Sequence, residues 1–227
     1  MFEPINHITK EPEMQNLKPM EKLPGDIGKF LGNLERYKLA MTLEGDQGAG
    51  KTQLAFQLAN AFASVGYNVV YYAIELGKDS ELIQRHKNKY IAPQNCERVF
   101  VGDNNLLSTI KDYAEAFDVA IIDSFTKLKY DDGGEVYSKE LDALRNEYPR
   151  TIWIPLFQRN SKNTIRGGPG PLFDASINIE VHKVDDTFVN NYAVCTKNRY
   201  TLDAHKLNIS TGKIIPPTKI ETEVKKK

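Results

Sequence analysis

The sequence has very few cysteines and no Cys-x-x-Cys pair. Its 227 residues include two cysteines, Cys96 and Cys195, which lie far apart in the chain. A zinc ribbon requires closely spaced cysteine pairs, and a disulfide scaffold requires many more cysteines than this. The sequence therefore excludes both classes, and we expect no structural zinc.

The chain also lacks a long hydrophobic run. Its longest apolar stretches, such as residues 69–74, fall far short of the roughly 18 residues needed to cross a bilayer. The first residues contain no apolar segment of the kind found in secretory signals. We therefore expect a cytoplasmic protein without a membrane partner.

Neither sign of charge predominates, because 30 basic residues balance 30 acidic ones. This balance excludes a globally basic nucleic-acid-binding protein, although a local basic loop is compatible with it. Hydrophobic residues make up 41% and charged residues 26% of the chain, as in ordinary globular proteins. The length suggests one large domain or at most two small ones.

Segments that favour strands alternate with segments that favour helices through the first two thirds of the chain. The predicted strands cover residues 39–43, 68–74, 99–101, 119–122 and 151–157. The predicted helices cover residues 52–65, 79–90, 104–116 and 136–148. Such alternation is typical of an α/β fold with a mainly parallel central sheet flanked by helices.

The C-terminal third has a different pattern. Residues 177–182, 189–196 and 207–210 alternate polar and apolar side chains, which favours antiparallel strands. A long polar loop, residues 159–171, precedes them, and loops of this length are usually functional. We predict an N-terminal arm at 1–24, a core at 25–215 and a charged tail at 216–227.

A phosphate-binding loop occupies residues 45–52, where GDQGAGKT matches the pattern G-x-x-x-x-G-K-[ST] between a strand and a helix. Its glycines let backbone N–H groups surround phosphates, Lys51 reaches the β- and γ-phosphates, and Thr52 ligates Mg²⁺. The pattern predicts ATP and Mg²⁺ as cofactors. The predicted nucleotide contacts are Gly45, Asp46, Gln47, Gly48, Ala49, Gly50, Lys51, Thr52 and Gln53.

Three polar residues follow predicted strands and should therefore meet at the edge of the sheet where ligands bind. Asp123 is predicted to assist Thr52 in holding the metal. Glu75 is predicted to activate the attacking water as a general base, with a solvated strand-end glutamate as the alternative. Gln158 is predicted to sense the γ-phosphate, although a buried glutamine bonded to backbone is nearly as consistent.

Together these residues resemble the RecA/DnaB superfamily over residues 25–212. The phosphate loop, the segment YYAIELGKDSELIQRHK around Glu75, VAIIDS around Asp123 and Gln158 carry the resemblance. Within that superfamily the chain is most similar to the core of the RadA/Sms ATPases. Their Lys-Asn-Arg-Phe-Gly motif corresponds here to residues 197–201, KNRYT, in which Thr201 replaces the glycine.

The resemblance implies a RecA-like ATPase that forms a ring or filament of identical subunits. By analogy, Lys197 and Arg199 would act on the γ-phosphate of a neighbouring subunit. Arg85, on the helix after Glu75, would stack on the adenine. A basic turn and a surface arginine are the corresponding structural alternatives.

The resemblance also implies single-stranded DNA as a partner, with recombination, annealing or branch migration as the task. Two loops would contact the DNA, and their candidate residues are Lys127, Lys129, Arg159, Lys162 and Arg166. A DnaB-like helicase core shares the same motifs. A KaiC-like nucleotide switch that binds protein partners is a further alternative, which the neutral net charge favours and the cationic loop disfavours.

Overall fold

The computed structural model describes residues 22–159 and 164–216. Most of the predicted arm and tail, together with Lys162, lie outside the described residues. In the described part of the chain, no helix is both long and apolar enough to span a membrane.

One mixed sheet organises the described residues. Its strands are β1 (Met41–Gly45), β2 (Val69–Ala73), β3 (Val99–Gly102), β4 (Val119–Asp123), β5 (Ile152–Gln158), β6 (Ile177–His182), β7 (Tyr192–Asn198), β8 (Lys206–Asn208) and β9 (Lys213–Ile215). The α-helices are α1 (Gly25–Leu31), α2 (Lys51–Ser64), α3 (Glu81–Tyr90), α4 (Leu107–Asp112), α5 (Glu140–Glu147) and α6 (Gly170–Asp174).

The strand order across the sheet is β3-β2-β4-β5-β1-β6-β7-β8-β9. Strands β3 to β6 of this order are parallel, and β7, β8 and β9 extend the sheet antiparallel. The predicted fold class, a mainly parallel α/β sheet with antiparallel C-terminal strands, is confirmed. Strand β6 belongs to both parts, because it is parallel to β1 and antiparallel to β7.

Hydrophobic clusters cover both faces of the sheet. On one face α2 buries Leu54, Leu58 and Phe62, the residues whose helical spacing predicted it. On the other face Leu141 and Leu144 of α5 belong to the cluster around Trp153. Because both faces are covered, the central strands are apolar throughout, as expected for buried parallel strands.

Two predicted helices are shorter than expected. The segment 104–116 contains α4 and a separate 3₁₀ turn, because the N–H of Leu107 donates to the carbonyl of Lys129 and pulls the preceding residues into a bridge. Helix α5 begins at Glu140 rather than near Val136, whose N–H donates to Leu128 instead. Long-range backbone pairing replaces the first turn of each predicted helix.

The topology positions a site at the carboxyl ends of the strands. Gly45 is in register with Gln158, and Ala73 is in register with Asp123. The carboxyl ends of β1, β2, β4 and β5 therefore meet at one edge of the sheet, where parallel α/β proteins bind ligands.

Candidate nucleotide-binding site

The phosphate loop connects β1 directly to α2. Gly48 and Gly50 have φ values of 73° and 106°, in the left-handed region that favours glycine. Gly45 lies so close to β6 that a Cβ atom would be 2.3 Å from the carbonyl oxygen of Val181. Glycine is therefore required at position 45 by close packing and at positions 48 and 50 by backbone conformation.

Lys51 folds back over this loop. Its Nζ donates to the carbonyl oxygens of Gly45 at 2.9 Å and Asp46 at 2.8 Å. Burial lowers the pKa of Lys51, while the carboxylates of Asp123 and Glu75 act in the opposite direction. The ammonium group is thus held inside the loop, next to the acidic residues of the site.

Thr52 and Asp123 form the candidate metal site. The Thr52 hydroxyl donates to Oδ2 of Asp123 at 2.8 Å, and the Tyr71 hydroxyl donates to the same oxygen. Burial raises the pKa of Asp123, and the two hydroxyl donors oppose that effect. A hydroxyl and a carboxylate are hard oxygen ligands of the kind that Mg²⁺ prefers, and Mg²⁺ usually takes only one or two such ligands from a protein. The donor set therefore fits the predicted metal.

Glu75 and Gln158 are in direct contact. The Gln158 side-chain amide donates from Nε2 to both carboxylate oxygens of Glu75, at 2.8 and 3.0 Å. The two residues follow β2 and β5, and β4 with its terminal Asp123 lies between those strands. The sheet therefore brings together the three strand-end residues that the sequence singled out.

A cavity of about 630 Å³ extends over the phosphate loop. At one end are Glu75, Asp123 and Gln158, and at the other are residues of α3 and of the C-terminal strands. The lining residues are Gln47, Gly48, Gly50, Lys51, Thr52, Gln53, Glu75, Leu76, Leu82, His86, Lys89, Asp123, Gln158, Thr187, Phe188 and Ser210.

The sequence analysis missed the contribution of the β6–β7 turn, residues 183–191. Phe188 has a φ of 63°, and its ring lies against Gly48 of the phosphate loop. Asn191 is fully buried, donates to the carbonyl of Ala49 at 3.1 Å and accepts from the N–H of Val184. No local signal identifies these contacts, because they join segments far apart in sequence.

Helix α3 reaches the cavity with residues other than the predicted Arg85. Arg85 is 72% exposed at its side chain and pairs with Glu81 on the outer surface. Leu82, His86 and Lys89 line the cavity instead. Burial, followed by the charge of Lys89, lowers the pKa of His86. The structure therefore does not bring Arg85 to the nucleotide cavity.

Lys197 and Arg199 lie at the opposite edge of the sheet. The register of Ile177 with Asn198 places the end of β7 beside the start of β6, away from the phosphate loop. Lys197 Nζ donates to the carbonyl oxygens of Leu172 and Phe173 at the end of α6. Arg199 is exposed. Neither residue can reach the phosphate loop of its own chain.

Arg159 is enclosed within the sheet. Its guanidinium contacts the carboxylates of Glu44 at 3.4 Å and Glu180 at 2.7 Å, and its side chain is only 12% exposed. Burial raises the pKa of Glu44, and Arg159 opposes that effect. The predicted DNA contact at Arg159 is corrected, because two carboxylates already hold its charge.

The two predicted DNA loops lie side by side. The Ser138 hydroxyl donates to the carbonyl of Gly167 at 2.6 Å, which joins the segment after β4 to the segment after β5. Lys127 and Arg166 are exposed on these loops, whereas Lys129 pairs with Glu135 at 3.7 Å. The N–H of Arg166 donates to the carbonyl of Gln158, so this loop is tied directly to the cavity.

No family model matches the chain, and no curated protein matches it. Solved structures do resemble it. The flagellar accessory protein FlaH from Methanocaldococcus jannaschii has a TM-score of 0.64 and 18% identity, covering 86% of this chain and 96% of that protein. A KaiC-like protein from Pyrococcus horikoshii OT3 has a TM-score of 0.59 and 14% identity, covering 88% and 100%.

The ATPase domain of a DnaB-like protein has a TM-score of 0.58 and 11% identity, covering 80% of this chain and 85% of that domain. At these identities the likeness concerns the fold, which is that of RecA-like P-loop ATPases. None of the three is described as a RadA or Sms protein, so the narrower resemblance stays a prediction.

Proposed function

We propose that the chain binds Mg²⁺–ATP in this cavity, hydrolyses it, and couples hydrolysis to single-stranded DNA. The observation that carries the proposal is the convergence of the phosphate loop, the Thr52–Asp123 pair and Glu75 around one cavity. Each of these groups has a defined task in phosphoryl transfer. A structural glycine turn would not require the other two groups beside it.

Glu75 is the general base of this proposal, and Gln158 controls it. In the observed arrangement the Gln158 amide holds both oxygens of Glu75. A γ-phosphate near Gln158 would compete for the same amide and free the carboxylate to accept a proton from water. Lys51 would exchange its two loop carbonyls for phosphate oxygens, and bound Mg²⁺ would neutralise developing charge.

The nucleobase belongs at the end of the cavity away from Glu75. Leu82 and Phe188 are large apolar side chains that line the cavity and remain 46% and 41% exposed. A base placed against Phe188 would cover that surface, and base–aromatic stacking typically contributes about 1–3 kcal/mol. This subsite replaces the predicted stacking on Arg85.

The chain acts as a homo-oligomer in this proposal, with Arg199 completing the site of a neighbour. Arg199 lies at the edge opposite the cavity, so one subunit can offer it to the next only in a head-to-tail arrangement. Phe173 and Leu202 mark the same edge, and they are 74% and 102% exposed. Lys197 positions the end of α6 at this edge, since its ammonium already binds backbone carbonyls there.

Lys127 and Arg166 are the proposed DNA contacts in the described part of the chain. Both are exposed, and the loops that carry them are joined by the Ser138–Gly167 hydrogen bond. Because Arg166 is bonded to the backbone of Gln158, a change at Gln158 on γ-phosphate binding has a direct route to this surface. Lys162, outside the described residues, stays a predicted contact.

The test is the salt dependence of single-stranded DNA binding with ATP present. Replacing Lys127 and Arg166 by alanine should lower the log–log salt slope by about 1.4, at roughly 0.7 per neutralised phosphate. The matched control is Lys29→Ala with Arg150→Ala, which removes the same two charges elsewhere on the surface. An unchanged slope in the first variant contradicts the proposed DNA surface.

A KaiC-like nucleotide switch that binds protein is the second candidate. The pairing of Arg159 with Glu44 and Glu180, and of Lys129 with Glu135, favours it, because these loop charges are neutralised within the chain. The same binding experiment separates the candidates. If the wild-type protein binds nucleotide but no single-stranded DNA, the switch replaces the DNA-coupled ATPase.

A further inference from the structure

Tyr71 is a buried tyrosine whose hydroxyl points at the candidate metal site. It lies on β2, is fully buried, and donates its hydroxyl hydrogen to Oδ2 of Asp123. That oxygen also accepts from the Thr52 hydroxyl at 2.8 Å. One carboxylate oxygen thus receives two hydroxyl donors, one from the phosphate-loop helix and one from the core.

The core holds the Tyr71 ring firmly in place. Its ring stacks on Phe56 of α2, with a centroid distance of 4.4 Å and an interplanar angle of 27°. Strand β2 also pairs with β4, the strand that carries Asp123, with Ala73 opposite Asp123. The donor and the acceptor are therefore fixed by neighbouring strands and by packing against α2.

The neighbouring residue, Tyr72, provides a natural comparison. Tyr72 is also buried, but it belongs to the hydrophobic cluster on the other face of the sheet, since successive strand residues alternate. Both are tyrosines on one central strand, and only Tyr71 contacts Asp123. The chain therefore contains a matched control for the hydroxyl itself.

We propose that Tyr71 is a positioning residue for the metal site, whose hydroxyl fixes Asp123 while Thr52 turns to the metal. This inference rests on the proposed binding of Mg²⁺–ATP. Thr52 cannot donate to Asp123 in the same way once its oxygen is a metal ligand. The core hydroxyl then keeps one carboxylate oxygen in place and leaves the remaining lone pairs of the carboxylate for the metal and its waters. Partners that orient a metal-binding group in this way typically change metal affinity about 10–100-fold.

The experiment compares Tyr71→Phe with Tyr72→Phe. A fluorescent ADP analogue is titrated with EDTA present and again over a range of Mg²⁺ concentrations, and bound metal is counted independently by Mn²⁺ electron paramagnetic resonance. Tyr71→Phe keeps the ring that stacks on Phe56, so we expect nucleotide affinity in EDTA to stay within about two-fold. The Mg²⁺ and Mn²⁺ concentrations for half-saturation should rise about 10-fold. Tyr72→Phe should leave both concentrations unchanged.

Three results would overturn the inference, and they have different meanings. A normal metal dependence in Tyr71→Phe removes the positioning role and leaves the proposed function intact. An equal loss of nucleotide affinity in EDTA and in Mg²⁺ makes Tyr71 a structural residue only. If the wild-type protein shows no Mg²⁺-dependent gain in nucleotide affinity, the proposed function fails and this inference fails with it.

A second variant keeps the inference testable if Tyr71→Phe does not fold. Phe56→Leu removes the stacked ring and leaves the Tyr71 hydroxyl in the chain. We expect the metal concentration for half-saturation to rise in this variant too, by less than in Tyr71→Phe. A normal metal dependence in a folded Phe56→Leu protein would contradict the argument that stacking fixes the hydroxyl.

Discussion

Glu75 and Gln158 illustrate how much of this molecule depends on contacts between single side chains. The two residues are 83 positions apart in sequence, yet one amide nitrogen bonds both oxygens of the carboxylate. In that arrangement the proposed base is engaged by the proposed sensor. Hydrolysis then requires that the amide be drawn away, which links turnover to the presence of a γ-phosphate.

Replacing Glu75 by glutamine tests the role of the carboxylate. The change keeps the shape of the side chain and removes the group that accepts a proton from water. We expect ATP turnover to fall at least ~100-fold, as is typical when a general base is lost. Binding of a fluorescent nucleotide should persist, and turnover near that of the wild type would locate the base elsewhere.

The two cysteines provide an independent test of burial. Cys96 is exposed, whereas burial raises the pKa of the Cys195 thiol to about 12. Because the thiolate is the reactive form, Cys195 should be almost inert toward DTNB at pH 8 in the folded protein. We expect one thiol to react rapidly and the second only on unfolding. Cys96→Ser should abolish the rapid phase, and a rapid phase that survives would contradict the packing around Cys195.

At the scale of elements, the phosphate loop is supported by the C-terminal strands. Asn191 bonds the loop from the β6–β7 turn, and Gly45 packs directly against β6. The antiparallel extension is therefore part of the nucleotide site. It supplies Phe188 and Ser210 to the cavity and keeps the loop next to the sheet.

Two glycine substitutions separate close packing from backbone conformation. Gly45→Ala places a methyl group against the backbone of Val181, which cannot move without displacing β6, so we expect a loss of about 2 kcal/mol or more. Gly48→Ala meets only the Phe188 ring at 3.8 Å and costs about 1 kcal/mol for its positive φ. Urea unfolding measures both, and the reverse order would contradict the β1–β6 packing.

The sequence predicts the regular elements well where local pattern determines them. The apolar strands and the spacing of Leu54, Leu58 and Phe62 are local signals, and the observed fold confirms the α/β class. The helix before β4 is shorter than predicted, because the backbone of Leu107 pairs with distant Lys129. No window of sequence contains such a pairing.

The same distinction applies to the site. The phosphate loop is a contiguous motif, so its residues could be identified from the sequence. Arg159 could not be recognised as an ion-pair partner, because Glu44 and Glu180 lie on other strands. Phe188, Asn191 and Tyr71 were missed for the same reason, since each reaches the site only through the folded sheet.

At the scale of the whole molecule, the nucleotide cavity and Arg199 lie at opposite edges of one sheet. A subunit by itself therefore lacks the arginine that the proposal assigns to the transferring phosphate. Head-to-tail association would bring the Arg199 edge, with the exposed Phe173 and Leu202, onto the cavity of a neighbour. Activity should then depend on protein concentration as well as on nucleotide.

Mixing two inactive variants tests this arrangement. Lys51→Ala removes the phosphate contact of its own cavity, and Arg199→Ala removes the residue offered to the neighbour. We expect a mixture to regain partial activity, because some junctions pair an intact cavity with an intact Arg199. The control mixture of Lys51→Ala and Glu75→Gln should stay inactive, since both residues belong to the same cavity. No recovery in a demonstrated mixed assembly would argue against action between subunits.

ATP turnover measured with and without single-stranded DNA tests the central claim most directly. We predict that the wild-type protein hydrolyses ATP, that single-stranded DNA raises the rate, and that Lys51→Ala abolishes turnover while the protein remains folded. Turnover that persists in Lys51→Ala, or a complete absence of turnover in the wild type, would contradict the account. Turnover that DNA does not alter would keep the ATPase and replace its DNA partner.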